Sequence, residues 1–516
     1  MPMMSERAWD EEYDVVVAGS GGGALTGAYT AAREGLSVLV VESTEYFGGT
    51  TAYSGGGLWL PGNAALRRAG DDDRPQDARA YYRAVVGERT PRALQDAYLD
   101  NGPRLIDYLE SDDAFEFRKY PWPDYYGSAP KARGDGRHIM APSMPAARLG
   151  SLRERLRPPL PSDRGEVPLP DELIGGQSLL GRLLLALSRR DGVTMRTAAR
   201  CEGLLGDGVA VQGALVSTGQ GRRRIGARRG VLIASGGFER NQGLRDRYGV
   251  PGAARDSMAP QGNQGAAIQA AIEFGADTDL MSEAWWSPGI THPDGRSTFS
   301  LWFTGGIFVD VHGERFVNES LPYDRIGRVV LDRLRDGDIR LPFWMVYDDR
   351  SGARPPVQST SVPLGESSDY ERAGLWHSAA TLGGLADRIG VPGDRLAATV
   401  RGFNRMAESG VDTDFRRGEE PYDRFFTGDR SPLVPIEQPP FHAVAFGLSD
   451  LGTKGGLCTD PDARVLDVSG APIQGLYAAG NSMAAVSGTA YPGGGNPIGS
   501  SMVFSHLAAL HMAQRR

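Results

Sequence analysis

Residues 13–42 read YDVVVAGSGGGALTGAYTAAREGLSVLVVE, and the fold turns on how this stretch divides. YDVVVA (13–18) and SVLVVE (37–42) are short, apolar and rich in β-branched residues, which predicts two buried strands. Between them GSGGGA leads into TGAYTAAREG, whose apolar spacing predicts a helix ending at Gly35. The small residues follow Gly19-x-Gly21-x-x-Ala24, and Glu42 closes the second strand. In this strand–turn–helix–strand context the spacing is the dinucleotide-binding fingerprint. Gly19 makes the tight turn, Gly21 lets a pyrophosphate approach the backbone, and Ala24 permits close helix–strand packing. Ser20, Gly22 and Gly23 complete the loop. The helix N-terminus presents free N–H groups to the phosphates, and Glu42 is placed to accept hydrogen bonds from ribose hydroxyls.

Outward from this unit comes YFGGTTAYSGGGLW (46–59). A second glycine loop directly after the second strand suits a cofactor that continues past its pyrophosphate into a flavin, so FAD is expected. Ser43, Gly48, Gly49, Thr50, Thr51, Ser54 and Gly55 are its candidate contacts. RRGVLIASGGF (228–238) and GLYAAGN (475–481) repeat the pattern of a strand ending in glycine, adding Ala234, Gly236, Gly480 and Asn481. One glycine pair is usually a tight turn. Such elements spread over the whole chain predict one large α/β, Rossmann-type FAD domain closed by its C-terminal segment. Between 283 and 447 the texture changes: Trp285, Trp286, Trp302, Trp344 and Trp376 are five of the eight tryptophans, and prolines are frequent. The expected organisation is an FAD-binding part over 1–282, an inserted α+β catalytic domain over 283–447, and the rest of the FAD domain over 448–516. Residues 78–112 are expected to be mostly helical, 155–170 to be a long surface loop, and 178–188 a buried amphipathic helix.

Composition removes several function classes. The net charge of −8 and the lack of a Lys/Arg run argue against nucleic acid; Arg222–Arg224 reads as an exposed hairpin turn. Cys201 and Cys458 are the only cysteines, which excludes a disulfide scaffold and a cysteine-based zinc site and is compatible with a reducing compartment. His506 and His511 do not share a helix face well, so no metal is expected. The opening MPMMSERAWDEEYD has no apolar core of a signal peptide, and no apolar run reaches the ~20 residues that span a bilayer. A cytoplasmic location is expected, with peripheral membrane association as the alternative. The 70 glycines among 516 residues are about twice the usual share of ~7%, and their short clusters suggest backbone pressed against a ligand.

The stretches DVVVAGSGGGALTGAYTAAREG and FGGTTAYSGGGLWLPGN resemble the flavoprotein family of fumarate reductases and 3-ketosteroid dehydrogenases. LSDLGTKGGLCTD (448–460) and GTAYPGGGNPIGSSMVF (488–504) resemble its 3-ketosteroid Δ1-dehydrogenase branch. The resemblance implies 1,2-desaturation of a 3-ketosteroid, with a proton taken from C2 and hydride passed from C1 to flavin N5. It implies Tyr323, in NESLPYDR (318–325), as the base, and Tyr125, in PDYY (123–126), as its supporting tyrosine. Tyr491 and the Gly495 N–H would polarise the ketone, Trp122, Phe299 and Tyr126 would wall the substrate, and Asn496 and Ile498 would touch the cofactor. Two positions depart from the family pattern: Trp122 stands where a phenylalanine is expected, and Gly493-Gly494-Gly495 where Gly-Pro-Gly is usual. Family members with covalent flavin carry a histidine near the second glycine loop. None stands between residues 43 and 60 here, so the FAD is expected to be non-covalent.

The chemistry agrees with this implication. A phenol O–H beside a glycine N–H is a neutral donor pair that suits a ketone oxygen, whereas a dicarboxylate calls for a guanidinium. A phenol with pKa near ~10 is a poor base at neutral pH, so a hydrogen bond from Tyr125 is expected to stabilise the Tyr323 phenolate. The competing readings are a Δ4 desaturase of 5α-steroids, a fumarate-reductase-like enzyme, and a flavin-binding protein without turnover. The electron acceptor is not identified by the sequence.

Overall fold

The structure is a computed structural model that describes residues 9–515 except 166, 351 and 361. Strand β1 (Glu11–Ala18) leads through helix α1 (Gly22–Arg33) to β2 (Val38–Val41), and the two strands pair in parallel. On the other side of β1 lies Gly221–Ile233, then Pro472–Ala478; beyond β2 lies Val193–Arg196. All four of these neighbouring pairs are parallel. Val15, Val16 and Val17 are fully buried, as a parallel strand covered on both faces requires. Thus the strands starting near residues 11, 221 and 472 end side by side, and their glycine-bearing turns gather at one sheet edge.

The C-terminal helix Asn496–Gln514 packs along α1. Small residues make this possible: a Cβ on Gly23 would lie 1.9 Å from Ser501 Oγ, and one on Gly27 would lie 3.2 Å from the Ser505 Cβ. This docking carries the preceding loop, residues 488–495, to the end of the second glycine loop, where Gly495 meets Gly57 and Gly493 meets Trp59.

The second sheet is antiparallel, in the order Ile307–Val309, Phe343–Asp348, Phe441–Thr453, Ala284–Thr291, Ser297–Phe303, Val357–Thr360, with Trp376–Ala379 also paired to Phe441–Thr453. Its core is aromatic: Phe308 meets Phe343, Phe303 and Phe446 edge-on at 5.0–5.4 Å between centroids. The division expected at 447/448 falls inside the strand Phe441–Thr453. That strand runs on until the Thr453 N–H donates to Glu239 Oε2 at 3.2 Å, tying the second sheet to the segment that follows Gly237. Helix Tyr323–Asp336 lies against Ala284–Thr291 at Gly327, where a Cβ would come 2.6 Å from the Trp286 Cβ.

Residues 176–188 form the buried helix expected near 178–188, and 78–112 resolves into helices Pro75–Val86 and Arg92–Glu110. Arg222–Arg224 begin the second strand of an antiparallel hairpin with Val211–Thr218. The first half of 155–170 differs from the expected surface loop, while 167–170 are exposed and irregular as expected. Leu160–Asp163 is a helical turn with proline in its first positions, Leu160 and Arg157 are buried, and Arg157 donates to Thr44 Oγ1 at 2.6 Å. The prolines that suggested a loop instead pin a short cover over the cavity. Among the described residues no helix is long and apolar enough to cross a membrane, and no acidic, histidine or cysteine cluster has the arrangement of a metal site. His506 instead bonds Thr30 Oγ1, and His511 bonds the Tyr477 hydroxyl.

Candidate active site

A cavity of about 600 Å³ starts at the first glycine turn and ends among tyrosines. At its start Gly19 has φ +108°, and a Cβ there would lie 2.3 Å from the Ala234 carbonyl oxygen, so only glycine fits between β1 and the neighbouring strand end. No side chain caps α1 at Gly21, which leaves N–H groups of its first turn for an anionic ligand. The Gly22 N–H donates to Thr51 Oγ1 at 3.1 Å, locking the second glycine loop onto the first. Glu42 is buried at the cavity wall. Oε2 accepts from Ser20 Oγ at 2.5 Å, and Oε1 from the Thr44 N–H at 2.9 Å, Thr44 Oγ1 at 2.8 Å and Ser43 Oγ at 3.3 Å. Each carboxylate oxygen accepts about two hydrogen bonds, so Oε2 keeps capacity for a ribose. A bare helix end, an acid beyond it and a second glycine loop in one continuous slot fit FAD.

Gly19, Ser20, Gly21, Gly22, Gly23, Glu42, Ser43, Gly49, Thr50, Thr51, Ser54, Gly55, Ala234, Gly236, Gly480, Asn481 and Ile498 all line this cavity. Ala24, Gly48 and Asn496 do not. Ala24 is buried in α1 packing, the Gly48 N–H is turned to Ser20 Oγ at 3.0 Å, and Asn496 is buried in the first turn of the C-terminal helix.

At the far end three tyrosines converge from distant parts of the chain. Tyr323 opens its helix directly after Pro322, Tyr491 lies in the loop before the C-terminal helix, and Tyr125 lies in the 121–126 segment. The Tyr323 hydroxyl donates to the Tyr491 hydroxyl at 3.0 Å. Tyr125 stands edge-on to both, with centroids 5.8 and 5.0 Å away. The Pro492 carbonyl accepts from the Tyr125 N–H at 3.0 Å and from the Tyr81 hydroxyl at 2.5 Å, so the loop and the 121–126 segment are fixed together. Tyr126 does not line the cavity. Its ring faces the Arg325 guanidinium at 5.1 Å.

Gly495 has φ +84°, and a Cβ there would lie 2.0 Å from the Gly57 carbonyl oxygen. Burial pushes the Tyr491 phenol up to about 12, with Tyr323 and the Gly495 N–H pulling the other way. Tyr323 is held well above the usual tyrosine range, first by burial and then by Tyr125 and Tyr491. With its proton on, Tyr323 is itself the donor to Tyr491.

The walls are aromatic. Phe299 meets Tyr323 edge-on at 4.9 Å, and Trp122 packs with Phe426 at 5.4 Å and Trp302 at 6.1 Å. Trp285, Trp302, Leu301, Leu451 and His138 also line the cavity and were not picked out by sequence. The Trp285 indole N–H donates to Asn481 Oδ1 at 3.1 Å, while its ring is edge-on to Tyr491 at 4.9 Å. Its tryptophan-rich context was a signal of packing alone. His138 is buried beside Gly494, and burial lowers its pKa to about 3, so it is neutral. Among the described residues no Lys or Arg lines the tyrosine end.

Residues 14–498 match the FAD binding domain family. The chain is 38% identical to the 3-oxosteroid 1-dehydrogenase of Rhodococcus opacus, over 98% of this chain and 99% of that protein. The chain belongs to the FAD-dependent 3-ketosteroid dehydrogenase family. Within that family, the crystal structure of 3-ketosteroid Δ1-dehydrogenase from Sterolibacterium denitrificans in complex with 1,4-androstadiene-3,17-dione superposes with a TM-score of 0.88, at 32% identity, covering 98% of this chain and 99% of that one. The 4-oxocyclohexanecarboxylate 2-dehydrogenase of Sinomonas cyclohexanicum is 36% identical over 97% of this chain and 93% of that protein. These similar proteins are named for ring ketones that differ in what is attached to the ring.

Proposed function

We propose that this chain is a 3-ketosteroid Δ1-dehydrogenase with non-covalent FAD. The observation that carries the reading is the neutral donor pair, the Tyr491 hydroxyl beside the Gly495 N–H, set 3.0 Å from the Tyr323 hydroxyl at the end of an aromatic slot. A ketone oxygen placed between the two donors gains enolate character, which acidifies the neighbouring C2–H; one such donor typically contributes about 10²–10³ in rate. Tyr323 takes the C2 proton. To do so it must first lose its own proton to solvent water in the cavity that it lines, and the Tyr125 hydroxyl is then the neighbour that can donate to the phenolate. Phe299 and Trp122 hold the steroid's apolar faces, and Trp285 backs Tyr491. When bound, FAD supplies the acceptor for the hydride released from C1. Tyr125 and Tyr491 come from the FAD-binding part and Tyr323 from the inserted catalytic part, so the site forms only when both pack together.

The absence of a cation from the tyrosine-end lining disfavours a carboxylate substrate, since an anion buried there would lack a counter-charge. The test is anaerobic addition of one equivalent of a 4-en-3-one steroid, and separately of 4-oxocyclohexanecarboxylate, to the holoenzyme. The steroid is expected to bleach the flavin and the keto acid to leave it yellow. Bleaching by the keto acid alone overturns the reading.

A further inference from the structure

Lys454 stands in the TKGG portion of 448–460, and nothing in the reaction described above uses it. It is fully buried, and so is its partner Asp324. A buried ammonium is costly unless its donors are satisfied. Lys454 Nζ donates to the carbonyl oxygens of Thr489 at 2.8 Å and Ala490 at 3.3 Å, and to Asp324 Oδ1 at 3.3 Å. It also lies 4.3 Å from the centroid of the Trp285 ring. Each contact adjoins a residue of the site. Thr489 and Ala490 immediately precede Tyr491, Asp324 immediately follows Tyr323, and Trp285 is the ring that backs Tyr491 at 4.9 Å.

We propose that Lys454 is a positioning residue for the desaturation: its ammonium clamps the loop that presents Tyr491 to the helix start that presents Tyr323. The proposal rests on the reading of Tyr491 as the ketone's donor. Ion pairing with Asp324 does not by itself explain the site, because Asp324 also accepts from Arg328 Nε at 3.3 Å, and Arg328 in turn pairs with Glu283 at 3.1 Å. Two cations and two carboxylates therefore balance. Of the two cations, Lys454 is the one bonded to the loop carbonyls. Burial lowers its pKa to about 8, with Asp324 opposing, so the ammonium form prevails at neutral pH. A single Lys joins the two halves of the tyrosine pair because a compact ammonium offers three donors in different directions, and here they reach two carbonyls and a carboxylate.

The test is a double-mutant cycle on the full-length holoenzyme. Lys454→Met keeps the chain length and its packing on Trp285 while removing the ammonium. Flavin reduction in a single turnover and steroid dissociation constant are measured for wild type, Lys454→Met, Tyr491→Phe and the double variant. Lys454→Met is expected to slow reduction by about 10–10²-fold, the scale of a ~1 Å misplacement. FAD content should stay at one per chain and the steroid constant within about threefold, since aromatic packing rather than the ammonium holds the steroid. In the Tyr491→Phe background the same change should slow reduction by less than about threefold, because residues acting through one contact are not additive. Equal slowing in both backgrounds, no slowing in either, or loss of steroid binding with the rate kept overturns the clamp. Tyr491→Phe alone leaving reduction unchanged overturns the ketone-donor reading, and the clamp with it. If the methionine variant does not retain FAD, Lys454→Gln, which keeps one amide donor for a loop carbonyl, is scored by the same criteria.

Discussion

Replacing Tyr491 by Phe removes one oxygen from the centre of the site and little else. The ring keeps its edge contacts with Trp285 at 4.9 Å, Tyr125 at 5.0 Å and Tyr323 at 5.7 Å between centroids. Steroid binding should therefore weaken only by about one neutral hydrogen bond, roughly 0.5–1.5 kcal/mol, or up to about tenfold. The chemical step should suffer more, because the bond to the oxygen strengthens as charge builds on it and only such differential stabilisation speeds the reaction. Loss of one preorganised donor predicts flavin reduction slowed by about 10²-fold or more. A second cost falls on stability. The Tyr323 hydroxyl, which now donates to Tyr491 at 3.0 Å, loses its acceptor inside a buried cluster, and such an orphaned group costs about 1–3 kcal/mol. Stopped-flow reduction under anaerobic conditions gives the rate, its steroid dependence gives the dissociation constant, and denaturant unfolding gives the stability. Binding that collapses while the reduction rate is unchanged would refute the reasoning and leave Tyr491 a wall of the pocket.

Tyr323→Phe is expected to keep FAD bound and to cut flavin reduction by about 10²–10⁴-fold, the usual worth of a general base; a variant retaining more than about a tenth of the wild-type rate places the base elsewhere. Gly495→Ala adds a Cβ 2.0 Å from the Gly57 carbonyl oxygen at a φ of +84°. The loop must move and carry its N–H with it, so reduction should slow by at least about 10²-fold and the melting temperature should fall; an active variant shows that this N–H is not a ketone donor. Acid precipitation should release the flavin into the supernatant, and colour that stays with the polypeptide contradicts non-covalent binding. Burial lowers the His138 pKa from 6.5 to about 3, so below pH 6.5 the unfolded chain takes up a proton that the native state refuses. Its contribution is fully present above 6.5 and is lost as pH falls toward 3, by at most ~1.4 kcal/mol per pH unit. Urea unfolding of His138→Gln should fall less steeply over this range than wild type, and parallel curves would show that His138 does not titrate as described.

Local pattern carried much of the fold. β1, α1 and β2 follow from period, glycine spacing and a terminal acid, all read within one short stretch, and the two later strands that end in glycine pair where their likeness to β1 implies. The tyrosines were legible for a different reason. Tyr125, Tyr323 and Tyr491 are ordinary amphipathic residues whose meaning lay in the words around them, PDYY, NESLPYDR and GTAYPGGG. What stayed hidden depends on the third dimension. Whether Tyr125 or Tyr126 faces the slot is decided by the Pro492 carbonyl, which holds the Tyr125 backbone, and by Arg325, which takes the Tyr126 ring. Lys454 reads as an unremarkable charge until its burial and the two loop carbonyls are seen. His138 sits in a short strand paired to Leu58–Trp59, a pairing that no local pattern announces. Residues 155–170 have the composition of a loop, which 167–170 form, and only the burial of Leu160 and Arg157 makes the first half a cover.

The position of the new double bond tests the roles of Tyr491, Gly495 and Tyr323 most directly. The holoenzyme is incubated with an excess of an artificial electron acceptor and either a 4-en-3-one steroid or its 5α-saturated 3-keto counterpart, and each product is identified by NMR. A ketone held between Tyr491 and Gly495, with Tyr323 reaching C2, predicts a C1=C2 double bond in both, giving the 1,4-dien-3-one from the first and the 1-en-3-one from the second. A product unsaturated at C4 from the saturated steroid, or no product from either, would contradict it.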